Sequence, residues 1–243
     1  MLLYLFTPPP QLPHTKIPLS VLLVVEEALR IAWNLLRTSP PANFDINTAN
    51  EDDITQEFRL IVCNQVLQNE MVDGFSKELF SVNRESKYRN YKHDNSEKMP
   101  DLVVDIKRRP PVEYSSDDGL FIECKPVDVT HPTGDAYCGK GLVRFVEGSY
   151  AWTMQQAMMI GYTRTGYTIL PKLHDALKAR SAMHPPKRIE TLQYPSPCPA
   201  LSSQTALWCE AVHISCHNRT FHYDETGQPA PPITLRHLWL RRD

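Results

Sequence analysis

The sequence predicts a mixed α/β protein built around one pair of strands. Residues 102–106 and 120–127 are short apolar segments rich in β-branched and aromatic residues, as is typical of buried strands. Residues 107–119 lie between them and contain prolines and the pair Asp118-Gly119, which predict a hairpin connection. With the flanking periodic segments, the predicted order is helix, strand, hairpin pair, helix and strand.

The remaining elements follow from hydrophobic periodicity and from helix start and stop signals. Asp53 is the expected N-cap of the second helix, with Gln56 three residues later. We expect helices at 19–37, 54–68, 143–163 and 172–180, and strands at 78–83, 167–170, 207–217 and 233–240. No internal repeat is evident.

The composition is that of an ordinary globular chain. The 243 residues are 42% hydrophobic and 22% charged, with a net charge of −2, which counts against a strongly basic nucleic-acid coat protein. Six scattered cysteines lack the density of a secreted disulfide scaffold. We expect no signal peptide, no transmembrane helix and no membrane partner, and we expect a cytoplasmic location.

Prolines divide the chain into three regions. Residues 1–44 form an N-terminal extension with one helix, residues 45–180 form the core, and residues 181–243 form a proline-rich, β-containing C-terminal extension expected to pack on that core. The two extensions are candidate surfaces for a homodimer or for a partner protein.

The predicted strand pair places three charged side chains together. Glu123 and Lys125 are two residues apart and share one face of their strand, while Cys124 points to the other. Pairing of the strands would bring Asp101, at the edge of the first, close to Glu123. Two carboxylates suit a hard divalent ion such as Mg²⁺. The alternative is purely structural: Asp101 caps a strand, and Glu123 and Lys125 form a solvated ion pair on an edge strand.

Pro100-Asp101 followed, after 21 residues, by Glu123-Cys124-Lys125 resembles the PD-(D/E)XK nuclease superfamily, which includes many restriction endonucleases. The resemblance covers about residues 50–170 and implies a restriction-endonuclease-like αβββαβ core. It also implies a Mg²⁺ ion, with Mn²⁺ as a substitute, held by Asp101, Glu123 and the carbonyl of Cys124. Lys125 would position or activate the attacking water.

Two further site residues are suggested by the same resemblance. Superfamily members often add an acidic residue from the helix before the sheet, which makes Glu57 a candidate metal ligand; the alternative is a first-turn glutamate favoured by the helix dipole. The helix after the Glu123 strand often sends a polar residue to the active site. Gln155, or Gln156 as the alternative, fits that catalytic position, although neither has the QxxxY spacing of some branches, since Met159 and Ile160 stand where tyrosine would be.

Candidate nucleic-acid contacts are cationic. Arg84 and Lys87 lie in a basic, tyrosine-containing segment (84–93), which suits phosphate contact and base stacking or, equally, a solvated strand edge. Lys140 lies within a glycine-rich stretch and Arg144 follows it, near an expected helix start that could contact a phosphate; the alternative is a glycine-rich connection with surface cations. Gly134, Gly139 and Lys140 match part of a phosphate-binding loop, but Gly141 stands where serine or threonine is needed, so no nucleoside triphosphate site is predicted.

The sequence therefore predicts a metal-dependent nuclease, with DNA as the expected substrate and restriction or phage defence as a setting. The alternative is a non-catalytic nucleic-acid-binding or scaffold subunit on the same fold. Cysteines and histidines of the tail raise a zinc hypothesis, which their spacing disfavours because no CxxC pair occurs.

Overall fold

The computed structural model describes residues 12–93, 99–107, 117–200 and 208–243. Within them the chain is a mixed α/β fold with a seven-stranded sheet and four α-helices. The helices are α1 (Leu19–Thr38), α2 (Glu51–Ile61), α3 (Val143–Val146) and α4 (Ile169–Ser181). The strands are β1 (Phe80–Arg84), β2 (Leu102–Ile106), β3 (Gly119–Val127), β4 (Gln156–Thr163), β5 (Thr191–Pro197), β6 (His213–His217) and β7 (Ile233–Arg241).

Two π-helical segments extend the α-helices. Val62–Leu67 continues α2, and Thr133–Leu142 leads directly into α3. The first explains why the sequence pattern of the second helix runs past Ile61. The second occupies the glycine-rich stretch that the sequence pattern predicts to be a connection.

The sheet has the strand order β1-β2-β3-β4-β7-β6-β5. β1, β2 and β3 pair antiparallel, which confirms the predicted hairpin pairing, while β4 pairs parallel to both β3 and β7. The C-terminal strands β7, β6 and β5 continue the sheet with antiparallel pairs. Residues 108–116 of the predicted hairpin connection lie outside the described residues.

The helices α1 and α2 pack together against one face of the sheet. Trp33 of α1 stacks on Tyr162 of β4 with ring centroids 5.5 Å apart, and meets Phe58 of α2 edge-on at 5.7 Å. All three rings are fully buried. The N-terminal helix thus shares the main hydrophobic core with the central strands.

The prediction of a single helix over residues 143–163 is wrong. Helix α3 ends at Val146, and β4 begins at Gln156. Residues 157–163 are buried throughout, because β4 is a central parallel strand covered on both faces. A continuous apolar run of this kind satisfies a helical stripe as well as a strand, so periodicity alone cannot separate the two.

Smaller differences concern element boundaries. The predicted strand at 167–170 is absent: residues 167 and 168 are irregular, and α4 begins at Ile169. Helix α2 begins at Glu51 with Asn50 as its N-cap, whose side chain accepts from the backbone N–H of Asp53. The strand predicted at 207–217 begins at His213, and residue 207 lies outside the described residues.

No helix among the described residues has the length and apolar character needed to cross a bilayer.

Candidate functional site

The register of β2 and β3 brings Asp101 to Glu123. Leu102 pairs with Ile122, so the residue before β2 stands opposite Glu123. The backbone N–H of Cys124 donates to Asp101 Oδ2 at 2.6 Å. Asp101 is therefore fixed to the strand that carries Glu123 and Lys125, in the arrangement that the sequence pattern predicts.

The ammonium group of Lys125 lies at the centre of this cluster. Its Nζ is 2.6 Å from Glu51 Oε1, 2.9 Å from Glu123 Oε1 and 3.4 Å from Asp101 Oδ2. It also donates to the carbonyl of Cys124 at 2.6 Å. Three carboxylates and one carbonyl oxygen thus surround one positive charge.

The same contacts determine the protonation state of Lys125. Burial alone would lower the pKa of the ammonium, but the negative charges of Glu123, Asp101 and Glu51 together outweigh it and raise the pKa above its usual value. Lys125 is therefore protonated at neutral pH. It can donate hydrogen bonds and stabilise negative charge, but in this state it cannot accept a proton from water.

Glu123 is the most enclosed member of the cluster, with a side chain that is 0% exposed. Its Oε1 accepts from Arg144 at 2.9 Å, and its Oε2 accepts from the hydroxyl of Tyr150. Burial, followed by the charge of Asp101, raises the pKa of Glu123 to about 7, against the opposing effect of Lys125, Arg144 and Tyr150.

Glu51 is the acidic residue of α2 that contacts the cluster, whereas the sequence predicts Glu57 in that position. Glu57 lies six residues further along α2, which turns it to another side of the helix, and it lines a separate surface cavity with Asp45 and Asp53. Glu51 was missed because the helix was predicted to begin at Ile54. Asn50, a preferred N-cap residue directly before Glu51, is the signal that would have found it.

Gly141 allows the π-helical segment to approach the site closely. A Cβ atom added at Gly141 would lie 2.7 Å from Met159 Cε, 3.2 Å from Lys125 Cγ and 3.4 Å from Glu123 Cγ. This glycine, which breaks the match to a phosphate-binding loop, instead lies directly against the two charged side chains of β3. The glycine-rich stretch therefore contributes close packing to this site.

Gln155 is not on a helix and does not face the cluster. It precedes β4, and its amide donates to the backbone carbonyl of His14 at 2.7 Å. None of the contacts of Glu123 and Lys125 given above involves it. The polar residue that reaches Glu123 from the segment after α3 is Tyr150, which the sequence pattern did not single out.

Of the four cations predicted to contact nucleic acid, only Arg144 touches the cluster. Arg84 donates to Gln56 Oε1 at 3.0 Å and pairs with Glu85 at 2.6 Å. Lys87 and Lys140 are exposed. Arg144 is 37% exposed in its side chain, so it joins the buried carboxylate of Glu123 to the surface.

The tyrosines of the basic segment pack against other aromatic rings. Tyr88 meets Phe121 edge-on at 4.8 Å and is buried, and Tyr91 stacks on Phe221 at 4.5 Å. Both rings therefore contribute to hydrophobic packing in the structure. This arrangement favours the structural interpretation of the segment over base stacking.

The cluster fits a hard cation in its donor chemistry, since every donor is an oxygen. In this structure its three carboxylates and the Cys124 carbonyl all contact the ammonium group of Lys125, which occupies the centre of the cluster. Across the described ranges, no three or more His, Cys, Asp or Glu side chains are arranged so that they could hold a metal ion by themselves. Metal binding would require Lys125 to give up some of these contacts.

Two histidines of the tail, His217 and His237, belong to a buried hydrogen-bond network, and His213 Nδ1 lies 2.9 Å from the carbonyl of Ala211. Ser215 Oγ lies 2.7 Å from His217 Nε2 and 2.7 Å from His237 Nε2, and all three residues are buried. Cys198 Sγ instead lies 3.1 Å from a guanidinium nitrogen of Arg236. These contacts give the tail residues structural roles.

Comparison of this chain with protein-family models, with curated proteins and with solved structures finds no match.

Proposed function

We propose that this protein is a metal-dependent nuclease that hydrolyses phosphodiester bonds in DNA. The observation that carries the proposal is the convergence of Asp101, Glu123 and Lys125 on one point, with the Cys124 carbonyl beside them. The order of α2, β1, β2, β3, α3 and β4 supports a restriction-endonuclease-like core, to which α1 and β5–β7 are additions.

The oxygens of Asp101, Glu123 and Cys124, with Glu51 as a further donor, would hold Mg²⁺ or Mn²⁺. When bound, the ion supplies positive charge that stabilises the phosphate as negative charge builds up on it. Lys125 keeps its proton and orients the attacking water or a phosphate oxygen by donating hydrogen bonds. Arg144, which reaches from Glu123 to the surface, is placed to contact the phosphate backbone.

The test is a cleavage assay of the purified chain on linear, circular and single-stranded DNA, and on RNA, with Mg²⁺ or Mn²⁺. Asp101→Asn, Glu123→Gln and Lys125→Met should each lower the metal-dependent rate by about 10²-fold or more, because each removes charge from the reacting centre. Asp105→Asn is the matched control. Asp105 lies on β2 but is bonded to Ser81 at 2.9 Å, outside the cluster.

Equal rates in the wild-type chain and all three variants would contradict the proposal. Binding of nucleic acid without cleavage, unaffected by Lys125→Met, would instead support the non-catalytic nucleic-acid-binding alternative. A cytoplasmic location is part of the proposal, since free thiols persist in that compartment.

A further inference from the structure

Tyr150 is a neutral hydrogen-bond donor to the side chain of Glu123, and it lies in an irregular segment between α3 and β4. Its hydroxyl donates to Glu123 Oε2 and also bonds the guanidinium group of Arg144, while Oε1 faces the charged groups of Lys125 and Arg144. The two oxygens of Glu123 thus have different surroundings. One is held inside the protein, and the other is turned toward the cluster.

The ring of Tyr150 is fixed independently of its hydroxyl. It is fully buried, lies parallel to Phe121 with centroids 6.4 Å apart and meets Phe145 edge-on at 5.2 Å. Phenylalanine would keep these ring contacts. The hydroxyl therefore has a role at Glu123 that can be separated from packing.

The segment that carries Tyr150 has an unusual backbone. Gly148 has φ of +69° and Ala151 has φ of +52°, so residues on either side of Tyr150 adopt the left-handed region. On this path the carbonyl of Ala151 accepts from the backbone N–H of Met154 at 3.1 Å, and the carbonyl of Trp152 accepts from the hydroxyl of Tyr223 at 3.3 Å, but one further side chain bonds both carbonyls. Arg219 donates to them at 2.7 Å and 2.9 Å respectively, from a buried position.

Resting on the proposed function, we propose that Tyr150 is a positioning residue that orients Glu123 so that it offers a cation one oxygen, Oε1. We further assign to Arg219 the role of holding the backbone that places Tyr150. Hydrogen-bond partners that orient a metal ligand typically contribute 10–100-fold in metal affinity or activity. Neither residue would touch the substrate, so each would act through Glu123.

The experiment measures Mn²⁺ binding by calorimetry without nucleic acid, alongside thermal unfolding and DNA cleavage. Tyr150→Phe should raise the Mn²⁺ dissociation constant about tenfold or more. Excess Mn²⁺ should restore much of the lost cleavage rate. A purely structural role would lower the unfolding temperature and leave the Mn²⁺ dissociation constant as it is.

Tyr137→Phe is the matched control. Tyr137 is also fully buried, and its hydroxyl is bonded to His237 Nδ1 at 3.0 Å and donates to the Met159 carbonyl at 3.2 Å. Its loss should destabilise the fold without changing the affinity for Mn²⁺. An equal weakening of Mn²⁺ binding in both variants would overturn the proposal, because the effect would not be specific to the Glu123 contact.

Arg219→Lys tests the second part, since lysine keeps the charge but cannot bridge two carbonyls in the same way. Its effect on Mn²⁺ affinity should largely vanish in the Tyr150→Phe background, because both changes act through one contact. Additive effects would overturn the role of Arg219.

Normal Mn²⁺ binding in Tyr150→Phe, with cleavage still dependent on Asp101, would overturn the inference but not the proposed function. No Mn²⁺ binding by the wild-type chain would overturn both.

Discussion

Glu51 Oε1 lies 2.6 Å from Lys125 Nζ, so the first residue of helix α2 is bonded to a strand residue 74 positions later. Because Glu51 is 27% exposed in its side chain, it borders the open side of the cluster. Burial raises the pKa of Glu51, and the nearby charge of Lys125 opposes that change. Glu51 thus extends the site from the sheet to the helix that precedes it.

We predict that Glu51→Gln lowers metal-dependent cleavage about 10–100-fold, because it removes one of the carboxylates that would hold the ion. The amide can still accept from Lys125 but carries no charge for a cation. Glu57→Gln is the control on the same helix, and it should cleave at the wild-type rate. Cleavage rates measured over a range of Mg²⁺ concentrations check this prediction. A stronger effect of Glu57→Gln than of Glu51→Gln would indicate that Glu57 is the metal ligand contributed by α2.

We predict that Gly141→Ala impairs the site with a small loss of stability. The new methyl group would push the end of Met159, which can move, and would tighten against Lys125. Overpacking of this kind costs about 1–3 kcal/mol, with the flexible methionine favouring the low end. Cleavage should fall because the Lys125 stem cannot keep its position.

Gly134→Ala is the control for that substitution. Gly134 lies on the same π-helical segment, and a Cβ atom there has no neighbour within 4 Å. Chemical unfolding and cleavage assays of both variants check the prediction. Wild-type cleavage by Gly141→Ala would show that the close approach of this segment is not needed.

The strand pair was predictable because several local signals agree. Residues 102–106 and 120–127 are apolar and β-branched, and the turn residues between them separate two strands. The face shared by Glu123 and Lys125 follows from the two-residue period of a strand. Asp101 could be placed near them because antiparallel pairing fixes which residues meet.

The rest of the site depends on long-range contacts that local patterns do not contain. The buried strand β4 and the helix predicted in its place share one apolar pattern, so the sequence assigns Tyr150 to a helix that ends at Val146 in the structure. Arg219 reaches the Tyr150 segment from 67 and 68 residues away. No periodicity in the sequence marks such a contact.

A buried ion pair joins the N-terminal helix to the last strand. Glu26 of α1 bonds Arg236 of β7, and both side chains are 4% exposed. We predict that Glu26→Ala destabilises the protein by about 3–5 kcal/mol, because it leaves the buried guanidinium of Arg236 without its negatively charged partner. The exposed pair Arg188–Glu190, at 3.9 Å, is the control, and Glu190→Ala should cost under about 1 kcal/mol.

Urea unfolding of these variants measures both values. Replacing Glu26 and Arg236 together by methionine should recover part of the loss, since a well-packed apolar pair avoids the cost of burying charge. A loss below about 1 kcal/mol in Glu26→Ala would show that the contact between α1 and β7 depends on apolar packing alone.

The histidine network of the C-terminal strands has one consistent set of proton positions. Tyr137 donates to a carbonyl, so its oxygen accepts from His237 Nδ1–H. Ser215 then donates to His237 Nε2 and accepts from His217 Nε2–H, while His217 Nδ1 accepts from Thr191. Each ring carries one proton in this arrangement, so both histidines are neutral.

We predict that acid destabilises the protein through His217. Burial lowers the pKa of His217 from 6.5 to about 3, so below pH 6.5 the unfolded chain binds a proton that the folded chain does not. The free energy of unfolding should therefore fall as pH drops from 6.5 toward 3, by about 1.4 kcal/mol per pH unit for this group.

Urea unfolding between pH 8 and pH 4 measures this decline. His217→Gln should be less stable at pH 8 with a shallower decline, whereas the exposed His222→Gln should keep the wild-type slope. An unchanged slope in His217→Gln would contradict the prediction.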